Sequence, residues 1–346
     1  MRRAGRVEAL RALLKNTTPR ASVALLCAIS CVCLLSACGG ASGSAQSLLN
    51  ETFSGHTPIE SGNVNLSFAV APAGQKSSAK PLAVTLSGPF QSVASGKLPR
   101  FALQLQLSAA GHGLQAGATS TGSALFVDLA GTWFSIPAST YKSLEEGYAQ
   151  ATKKASNAKV RSTFSTLGIE PGRWLSNPTK VGTATVGGVS TVHLTAGVNI
   201  PAFLADVTKL SEAGSELGLG SVPGASTPGG TLSPTIINEL AKSIKSANVD
   251  IYTGESDHLL RRLEVTASVT ATPQTQSLLG GLTSAQLTVR LELSELNKPQ
   301  TITAPSNPQP PTQLLPALQQ LVGLIEGSSG SSSGLGAGTL EQLAKG

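Results

Sequence analysis

The sequence predicts an α+β fold: one antiparallel sheet of about eleven strands, with three or four helices between runs of strands. Three observations carry this. Apolar and polar residues alternate over many short segments, the period of a strand with one buried face. Glycines fall where the alternation pauses, as hairpin turns require. Strands and helices come in runs instead of alternating singly, which excludes a doubly wound parallel sheet.

Asn63 to Ala71 opens the first run. It sets Val64, Leu66, Phe68 and Val70 on one side, and Leu82, Val84 and Leu86 repeat the pattern. In Phe101 to Leu107, four apolar side chains share one face while Gln104 and Gln106 share the other. Leu114–Ser120, Ser123–Leu129 and Thr132–Ile136 continue the meander, with Gly122 and Gly131 at its turns. Ser139 to Leu167 then reads as a helix capped by Ser139 or Thr140, with a break marked near Asn157. Leu144, Tyr148 and Ala151 form its stripe, and Lys142, Glu145, Lys153 and Lys154 face water.

Two strands return at Val181–Val186 and Val189–Val198, joined by Gly187-Gly188, a two-residue hairpin. Pro201 opens a helix through Leu210, using the position where its missing N–H costs nothing. Gly214 to Gly230 reads as a mobile loop. Leu232 to Ser246 reads as a helix with Ile236, Ile237, Leu240 and Ile244 on one stripe. Strands Asn248–Thr253, Leu259–Thr272 and Ser284–Glu295 close the sheet. Beyond the Pro-rich stretch Pro305–Pro316, Leu314 to Ile325 has the spacing of a short apolar helix. Gly327 to Gly338 has a Gly/Ser composition that predicts disorder.

The N-terminus has a different logic. Arg2, Arg3, Arg6, Arg11, Lys15 and Arg20 stand against Glu8 alone, and Ala21 to Leu35 is an uncharged apolar run. That is the pattern of a secretory signal, too short for an ordinary membrane span. Leu35-Ser36-Ala37-Cys38 resembles the lipobox of bacterial lipoproteins. In that family the chain is cut before the cysteine, whose thiol becomes a thioether to diacylglycerol. The competing reading is an uncleaved anchor helix with a chance cysteine. The expected organisation is a signal at 1–37, a flexible tether at 38–47, a folded domain at 48–306 and a Pro/Gly/Ser-rich tail at 307–346.

Cleavage there would change the charge argument. The formal charge of +6 falls to nearly zero, because 19 basic and 18 acidic residues follow Cys38. The basic balance is therefore no evidence for nucleic acid. Cys27, Cys31 and Cys33 leave with the signal, so neither a disulfide framework nor a thiolate metal site is expected. His56, His112, His193 and His258 show no ligand-like spacing, and no cofactor fingerprint lies between a strand and a helix. The elbow-like Gly330–Gly334 match has no strand before it and no helix after it. An enzyme is not expected. Arg261-Arg262 reads as a solvated strand edge or as a contact to a lipid head group.

Several segments resemble one family. Asn248 to Leu263 (NVDIYTGESDHLLRRL) resembles its hairpin with an arginine-rich second strand. Leu291 to Pro305 (LELSELNKPQTITAP) resembles its closing strand and proline exit. Trp174-Leu175 with Pro178, then Val186-Gly187-Gly188 and Val192-His193-Leu194, resemble its middle hairpin. The family is the LppX/LprAFG-type lipoproteins of the LolA-like superfamily. The resemblance implies an antiparallel half-barrel of about eleven strands whose concave face is covered by helices. It also implies an apolar cavity between them that holds the chains of lipids or glycolipids. Ala, Val and Leu dominate the apolar positions and only 4% of residues are aromatic, so a small-residue lining leaves room. A core packed solid with small residues is the alternative.

On this reading the lining comes from Phe68, Leu103, Leu105, Leu107 and Val127 on strands, and from Phe203, Val207, Ile237, Leu240 and Ile244 on helices. Cys38 would hold the chain to the outer face of the cell membrane. LolA-like domains also resemble envelope stress sensors, so a non-transporting interaction protein with a protein partner is the rival expectation.

Overall fold

A computed structural model describes residues 44–54, 57–73, 81–109, 112–157, 171–206, 234–273, 275, 282–317 and 319. The chain divides into two units, Met1–Gly43 and Ser44–Gly346. The first unit, with the expected signal and Cys38, lies outside the described residues, as do Gly214–Gly230 and Gly327–Gly338.

Eleven strands form one antiparallel sheet in the order β6-β5-β4-β3-β2-β1-β11-β10-β9-β8-β7. They are β1 (Ser61–Pro72), β2 (Leu82–Gln91), β3 (Arg100–Ala109), β4 (His112–Ser120), β5 (Leu125–Leu129) and β6 (Thr132–Ser135). After the central helices come β7 (Leu175–Val186), β8 (Val189–Val198), β9 (Ile244–Gly254), β10 (Leu260–Thr270) and β11 (Ser284–Ser294). The sheet is open, with β6 and β7 at its two edges, so the architecture is the expected α+β half-barrel. Each run is a meander of nearest neighbours. The β1–β11 pairing joins the two runs and brings the ends of the domain together.

The helices are α1 (Ala45–Phe53), α2 (Ala138–Asn157), the single turn α3 (Pro171–Trp174), α4 (200–206) and α5 (Pro234–Ser243). Helix α1 was not anticipated. Residues 45–47, expected as tether, are its first turn, capped by Ser44, whose Oγ accepts the Ser47 N–H at 3.1 Å. Leu48 and Leu49 are buried and α1 packs against β7 and α3, so packing more than local propensity sustains this short helix. Helix α2 begins at Ala138, one residue before the expected cap, and 158–167 lies outside the described residues.

Two boundaries depart from expectation for one reason. Helix α5 stops at Ser243, and Ile244, assigned above to the helical stripe, is the first residue of β9. Ile244 pairs with Val269. Likewise β7 starts at Leu175, six residues early, and runs through Pro178 with two breaks in its ladder. In both places a partner strand overrides local signals, and an edge strand is where a proline without an N–H is tolerated.

The segment after β11 crosses the ends of several strands. The Asn297 N–H donates to Ser61 O at 2.8 Å, and Ser61 Oγ donates to Lys298 O at 2.7 Å. The Gln300 N–H reaches Gln91 Oε1 at 2.9 Å, and Arg100 Nη2 donates to Ile302 O at 2.7 Å, with Ile302 buried. The chain then pairs in parallel with β6: the Gln309 N–H donates to Trp133 O at 2.7 Å and the Ser135 N–H to Gln309 O at 2.9 Å. Residues 307–313, the start of the Pro/Gly/Ser-rich tail, include a bridge to the β6 edge, followed by a 3-10 turn, Pro311–Gln313.

Candidate functional site

Register turns the separate alternations into one surface. Cross-strand partners share a face, so ladders define rows across the sheet. One row runs Leu114, Leu107, Val84, Phe68, Val289, Val265, Val249, Ala196. The next runs Leu129, Ala116, Leu105, Leu86, Leu66, Leu291, Leu263, Ile251, Leu194. A third joins Leu103, Ala118, Val127 and Phe134. Every position in these rows is apolar.

The two ends of that face are not equivalent. At one end Ile251, Leu194 and Val249 are fully buried, and Val265 is 5% exposed. In the same middle rows Leu66 is 39% and Leu105 is 37% exposed, and Phe68, Val84, Leu86, Leu107, Val289 and Leu291 are half-buried. The change falls between β11 and β10. The buried side has α1, which packs against β7 and places the Thr52 hydroxyl 2.8 Å from Thr253 Oγ1 on β9. It also has Trp174, whose ring meets Phe203 of α4 edge-on at 5.2 Å. The open stretch, β5 to β11, spans six strands, about 24 Å at about 4.8 Å between neighbours.

This apolar surface is the candidate site. It gathers Phe68, Leu103, Leu105, Leu107 and Val127 of the expected lining. Phe203 is packed on Trp174 instead, Leu240 is half-buried on α5, and Ile244 belongs to β9. Val207 and the Ile237 side chain lie outside the described residues. Leu66, Leu86, Leu129 and Leu291 join the surface beyond the expected set. Alternation had put Leu66 and Leu86 on apolar faces, but only the ladders show which faces are shared.

The opposite face is largely polar; several of its charges pair across strands, while Asp128 on β5 is buried with its Oδ1 unbonded. His193 Nε2 lies 2.7 Å from Asp250 Oδ1, and its ring stacks on Tyr252 at 4.4 Å between centroids. The Arg262 guanidinium also sits over the Tyr252 ring, 5.3 Å from its centroid, and donates to Glu292 at 2.9 Å. Arg290 donates to Glu264 at 2.7 Å. Arg261 is buried and bonded to Asp257. Neither Arg261 nor Arg262 is the solvated edge expected above, because β10 is an interior strand between β9 and β11. Asp257 and His258 form the β9–β10 turn, where Asp257 Oδ1 accepts the Leu259 N–H and His258 has φ +54°. Among the described residues, no group of three His, Cys, Asp or Glu side chains is placed to hold a metal. Among them, too, no helix is long and apolar enough to cross a membrane.

An apolar face of this kind can bind by removing apolar surface from water, at about 2.5 kcal/mol per 100 Å2. The class defined by this chain is therefore an open antiparallel half-barrel with an incompletely covered apolar face. Among solved structures it is similar to the lipoprotein LppX of Mycobacterium tuberculosis, at 12% identity and a TM-score of 0.34, over 75% of this chain and 98% of that one. It is also similar to LprF of Mycobacterium bovis, at 13% identity and a TM-score of 0.37, over 76% and 99%. A third similar structure is the Pseudomonas aeruginosa MucA/MucB complex, at 10% identity and a TM-score of 0.25, over 76% of this chain and 61% of that one. No family model and no curated protein matches the sequence.

Proposed function

We propose that this protein is a lipid-anchored cell-envelope protein that binds the apolar chains of lipids or glycolipids on the open half of its sheet face. The observation that supports it is the exposure of Leu66 and Leu105 in rows whose other ends, at Ile251 and Leu194, are dry. An exposed apolar patch this continuous marks a binding surface. Acyl chains suit it: they need area and no directional partner, and the rows offer only Leu, Val, Ala, Phe and Ile. The lipobox at Cys38 supplies the anchor, on the extracytoplasmic face, and a diacyl group is enough for stable attachment. Carriage of lipid between membranes is the wider form of this reading.

The rival is an interaction protein whose open face takes an apolar segment of a partner. Native mass spectrometry of the Cys38→Ser chain from residue 38, made in a lipid-rich envelope, separates the two. A discrete adduct of lipid mass, recovered by solvent extraction, is the expected result. A bare protein that also rejects added lipids would overturn the lipid reading in favour of the partner.

A further inference from the structure

We propose that the polar face of β1 to β6, on the far side of the sheet from the apolar surface, binds a neutral polysaccharide chain. It is independent of the lipid-binding reading, because it uses the opposite side chains of the same strands. One ladder row runs Trp133, Asp128, Gly117, Gln104, Ser87, Asn65 and then meets Glu292 on β11. The next runs Gln115, Gln106, Thr85, Ser67 and then meets Arg290 on β11. Both rows change character at the β1–β11 pairing. Beyond it the charges satisfy one another: Arg290 with Glu264, Arg262 with Glu292, His193 with Asp250. From β1 to β4 the two rows hold only amides, hydroxyls and one glycine, with no formal charge. Among the described residues these amides and hydroxyls bond no other side chain, and Asn65, Gln104, Gln106 and Gln115 are exposed.

Amides and hydroxyls both donate and accept, which is what the hydroxyls of a sugar require. Without charge they draw neither nucleic acid nor an anionic surface. Strands β1 to β5 are paired on both sides, so an added peptide strand finds no edge there. Trp133, at the end of the first row, keeps part of its surface in water and offers an aromatic ring on which the C–H face of a pyranose packs. Its ladder partner Asp128 is 7% exposed, with a buried and unbonded Oδ1. A buried acceptor without a partner is costly unless something supplies the bond. On the other side of Asp128, Gly117 has no side chain, and the Gln104 amide occupies that space: a Cβ on Gly117 would stand 2.8 Å from Gln104 Nε2. Gln104 makes no bond to Asp128, so a sugar hydroxyl that takes its place over Gly117 would supply the missing donor. The first row spans β1 to β6, about 24 Å at about 4.8 Å per strand. That spacing is close to the length of one sugar unit, so successive sugars would meet successive strands.

The test is isothermal titration of the Cys38→Ser chain from residue 38 with the neutral oligosaccharides cellohexaose, chitohexaose and maltohexaose, and with hexagalacturonate as a charged control. Saturable binding of at least one neutral hexasaccharide, and none of the galacturonate, is expected. No neutral binding, or equal binding of the charged control, overturns the proposal. Gln104→Ala/Gln106→Ala changes only exposed side chains; it should weaken the binding about tenfold and leave the melting temperature unchanged. Trp133→Ala should weaken it at least as much. Unchanged binding in the double glutamine variant overturns the proposal whatever Trp133→Ala does, because that ring also packs in the fold. Leu66→Trp/Leu105→Trp, on the apolar face, should keep the sugar affinity of its parent. Loss of sugar binding there would put the oligosaccharide on the lipid surface and overturn the proposal.

Discussion

Leu105 and Ile251 lie in the same row of the same sheet face, joined through Leu86, Leu66, Leu291 and Leu263, and differ in exposure, 37% against none. Truncating each to alanine should therefore have different costs. Ile251→Ala removes fully buried carbons and leaves a closed cavity, so about 3–4 kcal/mol of stability should go. Leu105→Ala removes three carbons worth about 0.8 kcal/mol each when fully buried. With over a third of the side chain already in water, and an opening instead of a cavity left behind, the cost should be about 1.5 kcal/mol. For a domain of this size about 2–4 °C of melting temperature accompanies each kcal/mol. On that scale Ile251→Ala should melt about 10 °C low and Leu105→Ala about 4 °C low. Urea titration of the delipidated Cys38→Ser chain reads the same difference in midpoint with an unchanged slope. Delipidation matters, because bound ligand would add stability of its own. Equal losses would mean that the face is closed at Leu105 as well, and the candidate site would disappear.

The same geometry makes three other outcomes testable. Leu66→Trp with Leu105→Trp should abolish the lipid adduct in native mass spectrometry while keeping the far-UV circular dichroism of the parent; an unchanged adduct would refute binding on this face. Gly88 has φ +146°, and a Cβ there would run into Ala102 O on β3, so Gly88→Ala should lose at least about 2 kcal/mol in urea titration. Burial pushes Tyr148 above its ordinary value of 10.0, and it does the same to Tyr141, where the Glu145 charge adds to the rise and Lys97 partly offsets it. A phenol that holds its proton more tightly when folded supports the fold below about pH 10 and loses that support as pH rises through its folded value. The urea midpoint should fall between about pH 9 and pH 11, and less steeply in Tyr141→Phe/Tyr148→Phe.

Much of the fold was legible because strand signals are local. In FALQLQL each residue declares its face by its neighbours two away, so β3 needs no knowledge of the rest of the chain. Helix α1 was missed because AQSLLNETF carries a stripe of only two leucines, and its burial against β7 and α3 is what makes it stable. Ile244 was misplaced because it stands four residues after Leu240 and so continues a helix stripe as readily as it opens a strand. The pairing with Val269 decides between them, and that partner is far along the chain, on β10. Arg261 looked like a surface residue because nothing in LLRRL announces that Asp257 folds back to meet it.

By itself, the sequence determined the antiparallel α+β class, the apolar sides of β1, β2 and β3, and the near-neutral charge of the residues after the lipobox-like Leu35–Cys38. These are properties of short windows and of composition. Only the tertiary structure decided which of those apolar sides join, and which part of the joined face stays open. Leu105 and Ile251 are alike in type and pattern. They differ because one end of the sheet receives α1, Trp174 and Phe203, while at the other no equivalent cover among the described residues buries Leu66 or Leu105. Exposure depends on what distant segments bring to a surface, and no window of sequence contains that.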